Sequence, residues 1–229
     1  MEYVEFMFRW FHYLAGVTWI GVLYYFNFIQ TPFFGTELGG TAKSAMTRGL
    51  VPNALWWFRW GAMVTFLTGW TMVLMKLSMG FSLGDGYMTR ILTGGMMGTF
   101  MWANVWFVIW PAQQVVIANA EQVAAGGEPI PGAADRGAKA GMASRTNTLF
   151  SIPMLFFMGS ASSLQSIGNG DNDVLYWLLA GGLIVLVEIN ALIGPGAATQ
   201  KPLTSVTGTI HGGLGLTALL WFIMFSVNS

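Results

Sequence analysis

The chain has no cysteine, only 9% charged residues and only two histidines, and each scarcity narrows what it can be. Without cysteine, this sequence offers no disulfide, no thiolate metal site, no iron–sulfur cluster and no covalently attached haem c. Soluble domains carry about 25% charged residues. A chain with so few cannot solvate its own outer surface, so that surface is expected to face lipid. Ten basic and ten acidic side chains cancel, which removes the electrostatic footprint of a nucleic-acid binder. No phosphate-binding glycine loop of the GxxxxGK[ST] type, no HExxH and no Cys/His cluster is present. Two histidines with so few acids also argue against a dinuclear copper or iron site. The N-terminus has no basic stretch and no small-residue cleavage site before its first apolar run. That run is therefore expected to be a retained helix and not a cleaved signal peptide.

What the chain does contain is apolar. Hydrophobic residues make up 54%, with 11 Trp, 17 Phe and 30 Gly. Tryptophan and phenylalanine suit interfacial belts, and glycine suits helices that approach closely. A bilayer span needs roughly 20 mostly apolar residues. About six segments qualify, at about 6–28, 54–77, 90–110, 147–167, 174–193 and 203–227. The expected fold is an all-α polytopic integral membrane helix bundle forming a single transmembrane domain. The first helix is expected to stop before Thr31-Pro32. Pro111 is a candidate kink in the third, which can extend to about Ala125. The fifth is expected to end at Gly194-Pro195-Gly196. Residues 33–53 have room for a short surface helix, and 122–144 are expected to form a loop.

Lys43, Arg48, Arg59, Arg136, Lys139, Arg145 and Lys201 fall on one side of these spans, and Arg9, Lys76 and Arg90 on the other. The positive-inside rule makes the first side cytoplasmic and places both termini in the periplasm. The expected location is a bacterial inner membrane.

His12 and His211 both lie within expected spans. Ionisable groups in hydrocarbon are costly and usually functional, and neutral imidazole is a standard axial ligand of haem iron. His12 shares its helical face with Ala15, Gly16, Trp19 and Leu23. His211 shares its own with Thr204, Thr207, Gly208, Leu214, Gly215 and Ala218. Small residues beside an imidazole leave room for a flat macrocycle, and they equally suit plain helix packing. Haem b with His12 and His211 as iron ligands is the sharper expectation; a histidine hydrogen-bonded to a neighbouring helix is the plainer one. At 1.5 Å per residue, the two rings differ in depth by roughly 9 Å. That is awkward for opposite ligands of one iron. Two haems at different depths, each with a second non-histidine ligand, is the competing geometry.

Arg59, within Trp56-Trp57-Phe58-Arg59-Trp60, and Arg145, opening the fourth span, are candidate partners for haem propionates or another anion. Snorkelling to lipid phosphate is the alternative for both and for Arg9. Glu188 is the one acid well inside a span, so it is expected to hold a proton or to pair with an arginine of a neighbouring helix. Asn104 suits interhelical hydrogen bonding. The 15 Met are scattered like core filler.

Arg9-Trp10-Phe11-His12, Trp19-Ile20-Gly21 and Tyr24-Tyr25-Phe26 resemble the first helix of the membrane domain of bacterial membrane-bound urate hydroxylase, the urate oxidase N-terminal family. Trp56-Trp57-Phe58-Arg59-Trp60-Gly61, Trp110-Pro111, Ser144-Arg145-Thr146-Asn147 and Ile152-Pro153-Met154 extend the resemblance over most of the chain. The first helix is also similar to other small haem-binding membrane proteins, among them the bacterial membrane protoporphyrinogen oxidase, whose corresponding histidine is implicated in haem b binding. That similarity falls on His12. The urate hydroxylases, as the resemblance implies, have a longer membrane domain and end in a cytochrome c domain with a CxxCH site, absent from this sequence. An electron taken up here would leave through a separate periplasmic cytochrome, or the chain would serve as a subunit of a larger complex.

The functional expectation is therefore a haem b-binding electron-transfer protein, an oxidoreductase or a subunit of one, with His12, His211, Trp19, Arg59 and Arg145 at the cofactor. Two other classes compete with it. One is a cofactor-free accessory subunit of a respiratory or photosynthetic membrane complex. The other is a transporter using Glu188, for which no inverted repeat or paired broken helices speak.

Overall fold

The computed structural model describes residues 2–164, 173–193 and 196–228, which are helical almost throughout, with no strand among them. The first helical run comprises α1 (Glu2–Tyr24), a π-helical segment (Tyr25–Gln30) and α2 (Thr31–Phe34). A surface helix α3 (Glu37–Gly49) fills the connection to α4 (Val51–Ser78). Next come α5 (Gly86–Ala103), a second π-helical segment (Asn104–Ile109) and α6 (Trp110–Ala124), which form one continuous rod. α7 (Ala133–Ser163) follows, then α8 (Asp173–Tyr176), a third π-helical segment (Trp177–Gly181) and α9 (Gly182–Leu192). A 3₁₀ turn (Ala198–Thr204) leads into α10 (Val206–Asn228).

Four helical stretches among the described residues are long and apolar enough to cross a membrane: Val51–Ser78, Gly86–Ala124, Val174–Leu192 and Val206–Val227. α7 owes its polar character to its position. It packs against α5, α6, α9, α10 and the first helical run. Thr146, Asn147, Thr148 and Ser151 on it are all buried. A helix enclosed by others can carry such side chains: Asn147 donates to the Met101 carbonyl of α5, Ser151 meets Tyr24 of α1, Thr148 bonds the Ser144 carbonyl of α7 itself, and Thr146 Oγ1 has no partner among the described residues.

The boundaries differ from expectation at three places. The first helix does not stop before Thr31-Pro32 but continues to Phe34. Proline removes an N–H and presses on the carbonyl four residues back. Here the π-helical segment just before it widens the turn, and the same device precedes Pro111 in the α5–α6 rod. The expected loop at 122–144 shrinks, because α7 begins at Ala133. Gly132, at φ 77°, takes the left-handed conformation that turns the chain, and the alanine-rich segment after it favours helix. α5 begins at Gly86, which puts Arg90 one turn inside the helix. The expected end of the fourth span at 165–167 and the Gly194-Pro195 stop lie outside the described residues.

α1 and α4 run antiparallel and close together. A Cβ on Gly61 would lie 3.2 Å from the Trp19 backbone nitrogen and 3.3 Å from the Ala15 carbonyl oxygen. The glycine is what lets the two backbones approach this closely. At one end of this seam Glu5 bonds Arg9 at 2.6 Å and Lys76 at 2.9 Å. Glu5 lies before the apolar run, and the hydrogen bond from Lys76 holds its carboxyl below the usual carboxylate range despite the opposing effect of burial.

Candidate functional site

His12 faces α4 within this seam. Its Nδ1 lies 3.1 Å from the Thr68 hydroxyl oxygen. That hydroxyl has one hydrogen, and the Val64 carbonyl oxygen receives it at 2.6 Å, with the Thr65 carbonyl oxygen at 3.2 Å. The Thr68 oxygen is therefore the acceptor and His12 Nδ1–H the donor, which fixes the tautomer from the network. The Thr65 backbone also hydrogen-bonds this ring, and with the proton on Nδ1 the lone pair lies on Nε2. Gly69 makes room for the ring, since a Cβ there would lie 3.1 Å from Cε1 and 3.5 Å from Nδ1. A hydroxyl oxygen accepting from Nδ1–H, with the lone pair on Nε2, is an arrangement by which proteins orient ligating imidazoles.

His211 has a different setting. It is exposed on the outer face of α10, whereas His12 is half-buried between α1 and α4. No contact among the described residues joins the two rings. The small residues near His211 serve helix packing: Gly213 abuts α7, where a Cβ would lie 2.9 Å from the Leu149 carbonyl oxygen.

Arg59 stands within a tryptophan box. Its guanidinium carbon lies 4.0 Å from the Trp110 ring centroid, 5.2 Å from that of Trp106 and 6.0 Å from that of Trp60. These contacts are cation–π in kind and hold the side chain against the α5–α6 rod. Its Nε is buried without an acceptor, as are the indole nitrogens of Trp19, Trp102 and Trp106. Arg145 reaches the Leu203 carbonyl oxygen at 3.3 Å and so ties α7 to the turn before α10. Arg9 is engaged by Glu5 and not by a group near His12.

Glu188 meets no arginine. Asn104 donates to its Oε2 at 3.1 Å and to Asn147 Oδ1 at 2.9 Å. Asn147 in turn donates to the Met101 carbonyl oxygen at 2.9 Å. Three elements, the α5–α6 rod, α7 and α9, are joined by this chain in the apolar core. The expected arginine partner is missing because Arg59 is held by indoles and Arg145 by a carbonyl. The register shift of the π-helical segment starts at Asn104 itself.

Sequence reasoning missed Thr68, Gly69, Asn147, Arg90 and Tyr176. Threonine and glycine opposite His12 carry no signal of their own until α1 and α4 are set in register. Arg90 was countable as a charge, but its burial was not.

An axial histidine of haem b needs an oriented imidazole with a free nitrogen, and the propionates need donors. His12 fits the first requirement, and the unpartnered donors of Arg59, Trp19, Trp102 and Trp106 are of the kind the second asks for.

Fold and site together define an all-helical bundle with four stretches among its described residues long and apolar enough to cross a membrane and an oriented imidazole between α1 and α4. Residues 85–190 match the family model described as urate oxidase N-terminal, and that segment is similar to this family. The matched segment runs from the start of α5 into α9. It includes Arg90, Asn104, Arg145, Asn147 and Glu188 and leaves His12, Trp19, Arg59 and His211 outside. No curated protein and no solved structure matches the chain.

Proposed function

We propose that this protein is a membrane-embedded electron-transfer subunit that holds haem b through His12. The observation that carries this reading is the single free nitrogen of His12, with its partner nitrogen committed to Thr68. Bound there, haem would supply one-electron transfer. The chain's own residues would orient the ligand ring, exclude water from it with the apolar faces of α1 and α4, and offer Arg59 to the propionates. His211, on the outside of the bundle, would take no share in holding the group.

In this reading about six helices span a bacterial inner membrane, counting α1 and α7 with the four most apolar stretches. Arg9, Lys76 and Arg90 mark the periplasmic end, and electrons leave to a separate periplasmic cytochrome.

A reduced-minus-oxidised optical spectrum of the purified protein tests the reading. A b-type band is expected, abolished by His12→Ala and kept by His211→Ala. A colourless wild-type preparation that carries no haem after expression with ample haem supply would overturn it and leave the accessory-subunit reading in its place.

A further inference from the structure

We propose that Arg90 is the receptor for a carboxylate, taken side-on by the fork of its guanidinium. The inference stands without the haem, because it uses no residue of the His12 site. Arg90 is 0% exposed, which makes it one of the largest fully buried side chains in the bundle. Its Nη1 donates to the Gly86 carbonyl oxygen at 3.2 Å, one turn back on its own helix. Its Nε and Nη2 are buried with no acceptor. Those two nitrogens form the edge of the guanidinium whose N–H bonds run parallel, at the spacing of the two oxygens of a carboxylate. The half of the side chain left without an acceptor is thus the half that takes a two-oxygen anion.

The surroundings supply partial positive charge, their hydroxyl hydrogens are spent on one another, and no carboxylate of the described residues bonds the guanidinium. The Tyr176 hydroxyl lies 2.7 Å from Thr93 Oγ1. Thr93 spends its own hydrogen on the Thr89 carbonyl oxygen at 2.7 Å, so Tyr176 is the donor of that pair. Gly86 to Arg90 form the first turn of α5, whose unpaired N–H groups add partial positive charge. The carboxylates that bond other side chains in the described bundle are engaged elsewhere, Glu5 by Arg9 and Lys76, and Glu188 by Asn104. A cation removed from water and left unpaired is among the most costly groups a fold can hold, and one paired bidentately is far less so. From α7, the Met158 side chain stands against Gly94, one turn beyond Arg90. A flexible thioether can turn aside to admit a small ligand.

The test uses the full chain purified in detergent, with acetate and chloride as probes at constant ionic strength and the thermal unfolding midpoint as readout. Acetate is expected to raise the midpoint saturably and more than chloride does. At ten times the dissociation constant the folded-to-unfolded ratio should rise roughly tenfold. Arg90→Lys keeps the charge but lacks the fork, so it should lose the preference for acetate over chloride. Equal effects of the two anions on the wild type would overturn the proposal whatever the variant does. So would an acetate preference that survives undiminished in Arg90→Lys.

Discussion

The α1–α4 seam and the core around α7 both bring polar groups into an apolar bundle, and they treat them in opposite ways. Around α7 the amides consume one another, though the Thr146 hydroxyl stays unpartnered among the described residues: Asn147 serves Met101, and Asn104 serves both Asn147 and Glu188. Asn27 and Tyr24 likewise reach Ser144 and Ser151 at 2.8 and 2.9 Å, locking the first helical run to α7. In the seam, one valence is closed and another left open, with His12 Nδ1 bonded and Nε2 free. The difference separates groups that hold helices together from groups that await a partner. Satisfied networks specify a unique packing, whereas an open valence in a dry interior costs stability unless a ligand meets it.

Three changes sharpen this contrast, in falling order of effect. Asn147→Ala leaves one Asn104 amide N–H without its acceptor and removes the side-chain bond to the Met101 carbonyl in the core, so unfolding in mixed detergent should show a loss of roughly 2 kcal/mol. A loss below a few tenths would mean that the network is ornamental. Thr68→Val removes one bond in the seam, and single interhelical hydrogen bonds in membranes average about 0.6 kcal/mol. Its stability cost should therefore be much smaller than that of Asn147→Ala, while any haem band should weaken because the ring is no longer oriented. Lowering the pH should have the least effect. Glu5 is held below its ordinary pKa in the fold, so its contribution is present above the unfolded value of about 4.3 and is lost as pH falls through the lower folded value. Unfolding measured from pH 7 to 3 should show this loss in the wild type and not in Glu5→Gln.

The class of the protein was legible from scarcity of charge alone, because a chain with 9% charged residues leaves lipid as its solvent. The helix starts and stops were less so. Pro32 and Pro111 look like breaks until the π-helical segments ahead of them are known, and those segments have no sequence signature at this length. His12, Arg59 and Glu188 stood out because ionisable residues in apolar runs always do. Their partners did not: Thr68 is 56 residues from His12, and Asn104 is 84 from Glu188. The exposure of His211 depends on which face of α10 meets α7. That face is chosen by Gly212 and Gly213 packing on Leu149 and Ile152, a choice that a helix with small residues all round does not announce.

The central claim is that His12 carries its proton on Nδ1 and keeps Nε2 open. With only two histidines in the chain, ¹⁵N-histidine labelling gives a spectrum of two rings, and His12→Asn assigns them. The expected result for His12 in haem-free protein is a neutral Nδ1–H ring with an unprotonated Nε2, distinct from His211. An Nε2–H tautomer, or a His12 ring indistinguishable from an exposed imidazole, would contradict it.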